Sequence, residues 1–188
     1  MWFSIVRKVW AARKLSHHKS SQMYQMVVEK ARNQVLFEVV NVPDSPQGRF
    51  ESIVLHMFLV QRRFLEIRDS GSLPQRLMDN MAEDFDNSVR EMGVGDLSVG
   101  KNVKKLSRAA QMRFGIYNVQ IDNNSGLREA LRSVFASGAM AGQEVDIDTL
   151  TRYVGVFVRR LSECSDQALV EGEASLPIIS GSDLHSNV

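Results

Sequence analysis

The sequence predicts an all-α protein: a single bundle-like helical domain of about six or seven helices, with an amphipathic N-terminal helix and a disordered C-terminal tail. Three observations lead there. Apolar residues recur at helical spacing along most of the 188 residues, no stretch shows the strict alternation of a strand, and Gly, Pro, Asn and Asp cluster where helices need connections. A composition of 44% apolar, 24% charged and 7% aromatic residues suits one packed domain with loose ends. We divide the chain into a basic segment 1–19, a helical domain 20–165 and an acidic tail 166–188.

Trp2, Ile5, Val6 and Val9 fall at i, i+3, i+4 and i+7, which predicts an amphipathic helix over residues 1–15. A second helix is expected from about Gln22 to Asn33. The stretch Asn41-Val42-Pro43-Asp44-Ser45-Pro46 is a loop, with Asp44 or Ser45 as the N-cap of the next helix and Pro46 in its first turn. That helix, about Gln47 to Arg68, is apolar on nearly every face between Phe50 and Val60, as expected for the centre of a bundle. Gly71 ends it, and Ser72 opens a helix from Leu73 to Met92 with the stripe Leu77, Met81, Phe85, Val89 and Met92. Gly93-Val94-Gly95-Asp96 breaks the pattern, and Ser98 is expected to cap a long helix to about Ile121. A shorter helix runs through Leu127, Leu131, Val134 and Phe135, and the last one uses Ile147, Leu150, Val154, Phe157 and Leu161. From Ser165 onward the chain is polar, acidic and Ser-rich, which predicts disorder.

The formal net charge of +1 conceals a partition. Residues 1–19 carry Arg7, Lys8, Arg13, Lys14 and Lys19 with no acid, whereas residues 140–188 carry eight acids against Arg152, Arg159 and Arg160. Cys164, the single cysteine, excludes an internal disulfide and points to a reducing compartment. The apolar run Ile53 to Val60, interrupted by His56, is far short of the ~20 residues that span a bilayer. Arg7, Lys8, Arg13 and Lys14 break up any secretory signal. The expected location is cytoplasmic.

Residues that suggest chemistry have plain structural readings. Gly95 to Lys101 matches the first seven positions of a phosphate-cradling loop, but Asn102 stands where a Ser or Thr hydroxyl would hold magnesium and no strand precedes it. Asp79, Glu83 and Asp86 share a helical face without a facing ligand set, and Arg90 sits four residues after Asp86. His17 and His18 are adjacent in a polar stretch, and His185 is in the tail. His56 lies in the most apolar helix and reads as a hydrogen-bonded core histidine. No cofactor and no metal site are expected.

Two basic surfaces remain. Lys101, Lys104, Lys105 and Arg108 cluster on the long helix, with no acid between Asp96 and Asp122. Trp2, Phe3, Val6 and Trp10 accompany Arg7, Lys8, Arg13 and Lys14 at the N-terminus, the pattern of a helix lying in a bilayer interface; packing of its Trp face on the domain is the alternative.

The stretch Arg90-Glu91-Met92-Gly93-Val94-Gly95-Asp96-Leu97-Ser98-Val99-Gly100-Lys101, followed by Val103 and Lys104, resembles the signature of the ubiquinol-cytochrome c chaperone family. Tyr24 with Ala31-Arg32-Asn33, Val42-Pro43-Asp44, Gly48-Arg49-Phe50-Glu51 and Leu55 to Arg63 resemble its opening helices. Leu127-Arg128-Glu129-Ala130-Leu131, Tyr153 and Val156 resemble its closing ones, so the resemblance runs from about 23 to 162. It implies a non-enzymatic factor for assembly of the cytochrome bc complex that binds newly made cytochrome b, with a small co-chaperone or the ribosome as further partners. The short N-terminal extension points to a bacterial member at the cytoplasmic face of the inner membrane rather than the mitochondrial matrix. The client- or partner-binding residues expected on this basis are Arg90, Glu91, Met92, Gly93, Gly95, Asp96, Lys101, Lys104, Lys105 and Arg108. An anionic membrane surface is the expected partner of the N-terminal segment, which faces lipid while the acidic tail is repelled. The alternative is a nucleic-acid-binding or generic helical adaptor protein using the basic helix, although the neutral total makes nucleic acid an unexpected partner.

Overall fold

The structure, a computed structural model, describes residues 2–136 and 144–185, with side chains for 17–136 and 144–184. No strand occurs among the described residues. The helices are α1 (Trp2–Ala31), α2 (Gln34–Glu38), α3 (Pro46–Glu66), α4 (Leu73–Glu91), α5 (Asp96–Gln120), α6 (Asn124–Phe135), α7 (Ile147–Glu163), α8 (Asp166–Glu171) and α9 (Gly181–His185).

The apolar character of α3 places it at the centre, against α1, α4, α5, α6 and α7. Val54, Leu55, Met57, Phe58, Leu59 and Val60 are all buried in succession. Each such side chain contributes roughly 1.5–3 kcal/mol on leaving water. The helix starts as its sequence dictates: the Ser45 hydroxyl accepts from the Gly48 N–H at 3.1 Å, and Pro46 occupies the first turn. Gly48 is required by contact, because a Cβ there would lie 1.9 Å from the Pro43 carbonyl oxygen.

Polar groups on α3 anchor its neighbours. Glu51 is fully buried and its carboxylate accepts from Arg113 of α5 at two points, 2.9 and 3.1 Å, and from Gln47 at 2.7 Å. That fork of donors is the geometry in which a buried carboxylate is tolerated. On the other side Tyr24 of α1 donates to Asp84 of α4 at 2.8 Å.

Several boundaries differ from expectation. α1 is continuous from Trp2 to Ala31 instead of two helices, since neither Gly nor Pro interrupts it. Ser72 makes no side-chain cap bond. α5 begins at Asp96 with an extended Gly95 as its N-cap, so Ser98 lies inside the first turn; Arg90 of α4 bonds Asp96 at 2.9 Å and helps set that start. Asn123 and Asp146 cap α6 and α7 through their side chains.

The largest correction concerns residues 166–188, expected to be disordered. Through residue 184 they fold back on the domain, with Leu169, Leu176, Ile179 and Leu184 buried. The acids that suggested disorder meet cations of the domain: Asp166 pairs with Arg63, Glu171 with Lys19, and Asp183 with Arg160. Arg160 holds the Asp183 carboxyl well below the usual carboxylate range. Backbone groups are tied as well, with Asn33 donating to the Ile179 carbonyl at 2.8 Å and Arg152 to the Leu184 carbonyl at 3.1 Å.

Gly48→Ala is expected to lower the free energy of urea unfolding by roughly 2–3 kcal/mol through overpacking against the Pro43 carbonyl. Gly155→Ala, on α7 with no atom within 4 Å of the added carbon, should raise it by roughly 0.5–1 kcal/mol. Arg113→Met, which strands a buried carboxylate, should cost roughly 3–5 kcal/mol, and a double-mutant cycle with Glu51→Gln should recover much of that loss.

Candidate interaction surface

Among the described residues His56 is the one histidine in the core, and it is fully buried. Its Nδ1 lies 2.8 Å from the Ser52 carbonyl and its Nε2 lies 2.9 Å from the Tyr153 hydroxyl. A carbonyl can only accept, so Nδ1 carries the proton and Nε2 accepts from Tyr153. Burial lowers the His56 pKa to about 4 and pushes the Tyr153 hydroxyl up. The ring is therefore neutral with its lone pair engaged, and Phe157 packs edge-on against it at 5.1 Å. This is a structural pair that fixes α7 on α3, as the sequence suggested for His56.

The other chemical candidates resolve similarly. Gly95 to Lys101 joins two helices and opens α5, so it lacks the strand that aims a phosphate loop. Asp86 pairs with Arg90 at 2.6 Å, and Asp79 accepts from Gln75 at 2.9 Å. Among the described residues no group of three or more His, Cys, Asp or Glu side chains is placed to hold a metal ion.

The residues expected to bind a partner come together as one exposed region around the α4–α5 connection. Arg90, Glu91, Met92, Gly93, Gly95 and Asp96 are all exposed. Gly93 has φ of +74°, a conformation that L side chains rarely adopt, and it turns the chain from α4 toward α5. Arg90 spans the connection by bonding Asp86 on one side and Asp96 on the other. Leu97 is completely exposed just beyond it. Lys101, Lys104, Lys105 and Arg108 follow at i, i+3, i+4 and i+7 on the outer face of α5, all exposed. None makes an ion pair among the described residues, whereas Arg49, Arg62, Arg63, Arg128, Arg132 and Arg160 each meet a carboxylate.

Sequence reasoning missed the continuation of this face. Met112 and Val119 are 64% and 78% exposed, large values for apolar side chains on a packed helix. They border an apolar groove of about 560 Å³ between α5 and α6 that also includes Gly115, Ile116, Ala130 and Ser133. The available signal was the arc itself: Leu97, Lys101, Arg108, Met112 and Val119 all project from one side of a 3.6-residue helix. The side chains of Trp2, Phe3, Val6, Arg7, Lys8, Trp10, Arg13 and Lys14, expected at a membrane, lie outside the described residues. Among the described residues no helix is long and apolar enough to cross a membrane.

Comparison with known proteins is consistent with the sequence resemblance. A family model described as ubiquinol-cytochrome C chaperone matches residues 38–176. Among solved structures, the crystal structure of the Cbp3 homolog from Brucella abortus is similar, with 30% identity, a TM-score of 0.76, and coverage of 95% of this chain and 97% of that one. Curated proteins yield no significant match.

The buried His56 gives stability a defined pH dependence. The unfolded chain takes up this proton near pH 6.5 and the folded chain only near pH 4. The folded state thus holds its full advantage above pH 6.5 and loses it as pH falls toward 4, by roughly 3 kcal/mol. Urea midpoints measured across that window should fall steeply for the parent protein and less steeply for His56→Gln.

Proposed function

The chain belongs to the ubiquinol-cytochrome C chaperone family, and on that premise we propose that it is a non-enzymatic chaperone of complex III assembly. It binds newly made cytochrome b at the membrane surface and promotes its incorporation into ubiquinol-cytochrome c reductase. The observation that carries this reading is the exposed, uncompensated basic face of α5 beside the α4–α5 connection. A chaperone needs surface, not a reaction centre, and the buried Glu51 and His56 are engaged in holding helices together.

In this reading the client meets Arg90, Met92, Asp96, Lys101, Lys104, Lys105 and Arg108. The four unpaired cations draw in acidic groups from a distance and fix orientation, while the adjacent Met92 and Leu97 supply adaptable apolar contact. The N-terminal part of α1, with Trp2, Trp10, Arg7, Lys8, Arg13 and Lys14, attaches the protein reversibly to an anionic bilayer at the cytoplasmic face of the inner membrane. Each Lys or Arg near such a surface contributes about 1 kcal/mol, enough for weak and reversible residence. A small co-chaperone or the ribosome is a further partner of the same kind of surface. Nucleic acid is a poor fit: the large apolar side chains exposed among the described residues, Val39, Leu65, Met92, Leu97, Met112, Val119, Val158 and Ile178, include no aromatic on which a base would stack.

Deletion of the gene in a respiring bacterium should deplete haem-stained and immunodetected cytochrome b, and normal complex III would refute the proposal. Complementation with Lys104→Glu, Lys105→Glu and Arg108→Glu together, all at exposed positions, should leave the protein folded yet restore cytochrome b roughly tenfold less well. Salt-sensitive sedimentation with anionic liposomes should be lost when residues 1–19 are removed.

A further inference from the structure

α5 is long but little of it is enclosed: Val99, Ala110 and Tyr117 are its buried residues. Its outer face has two adjoining zones. From Lys101 to Arg108 it is basic and unpaired, and from Met112 to Val119 it is apolar and forms one wall of the groove whose other wall is α6. Each zone covers two helical turns, about 10 Å, and Lys101 to Val119 spans about 27 Å. Gly115 sits on this arc with no heavy atom within 4 Å of where a Cβ would stand, so the space over it is open.

We propose that this face docks a single amphipathic helix of a partner, of about 18 residues, with acidic side chains along one half and aliphatic side chains along the other. The inference rests on the reading of Lys101 to Arg108 as the client-facing surface and extends it to the α5–α6 groove. Charge complementarity selects the acidic half. Sequence places no acid between Asp96 and Asp122, and among the described residues no carboxylate forms an ion pair with the four cations, so a partner's carboxylates would meet charges that the fold does not already compensate. The groove selects the aliphatic half. Met112, Ile116 and Val119 line it with Ala130 and Ser133 of α6, the lining also includes Gln120 and Glu129, whose carboxylate is paired with Arg132, and the small residues of α6 leave room for the ridge of an incoming helix. A bilayer would meet the exposed cations and the protruding Met112 and Val119 as a plane, whereas a helix would also fill the shallow furrow between α5 and α6, and this favours a helix over a lipid surface.

The test uses the full chain and a fluorescein-labelled helical peptide with glutamates in one half and leucines in the other. A second peptide carries lysine in place of each glutamate. Anisotropy should show saturable binding of the acidic peptide, weakened by salt, with roughly tenfold or poorer binding of the basic one. Met112→Asp with Val119→Asp, and separately Lys104→Glu with Lys105→Glu, should each weaken the acidic peptide roughly tenfold. All four positions are exposed, and unchanged thermal melting of the variants verifies their folding. Equal binding of both peptides, no saturable binding, or full binding by either variant would overturn the proposal. So would co-sedimentation with phosphatidylglycerol vesicles that Met112→Asp with Val119→Asp abolishes, because the groove would then belong to lipid. A gene deletion that leaves complex III intact would remove the assembly reading and not the docking site, which the peptide result decides by itself.

Discussion

A helical stretch with almost no solvent face leaves its polar groups no water to bond, and α3 between Glu51 and Val60 is such a stretch. Glu51 and His56 are both buried on it, and leaving such groups unbonded would cost roughly 1–3 kcal/mol each, more for the charge. Glu51 takes Arg113 from α5, and His56 takes Tyr153 from α7. The requirement to satisfy α3 thus fixes which turn of α5 and which turn of α7 face the centre. Once Arg113 is committed inward, the residues on the opposite side of α5 are committed outward. The basic and apolar outer face is in this sense a consequence of the buried carboxylate.

Charge has a second use. Part of the near balance of 23 basic and 22 acidic side chains is used within the fold, through pairs such as Arg63 with Asp166, Arg128 with Asp148 and Arg160 with Asp183. Most of these pairs are half exposed, so each stabilises little, but each arginine so paired has its charge compensated within the fold. Lys101, Lys104, Lys105 and Arg108 differ in standing together on one face with no ion pair among the described residues, and electrostatic selectivity resides where compensation is missing over a whole face.

How much of this was legible in the sequence follows from which signals are local. The enclosure of α3, its Ser45 cap and Pro46 start, and the turn at Gly93 depend on neighbouring residues and could be read directly. The spacing of Lys101, Lys104, Lys105 and Arg108 likewise revealed the basic face. The groove could not be read, because it requires α6 to return beside α5 after Asn123. Nor could the course of the C-terminal segment: Leu169, Leu176, Ile179 and Leu184 have no helical period, and an irregular strap is indistinguishable from a polar tail until the surface it covers is known. The Glu51–Arg113 and His56–Tyr153 pairs join residues 62 and 97 positions apart, beyond the reach of pattern.

That strap bears on the order of folding. Most of the helices pack against near neighbours in the chain, the kind of topology that forms quickly and from local contacts. The bond from Asn33 to Ile179 and the pair of Lys19 with Glu171 instead join positions 146 and 152 residues apart. Because synthesis proceeds from the N-terminus, the strap is made after every helix it fastens. Until then α7 carries an apolar seam where Leu176, Ile179 and Leu184 will lie. Closure by the strap must therefore follow synthesis of the helices it fastens, and a chain halted before it would carry the same kind of exposed surface that chaperones exist to cover.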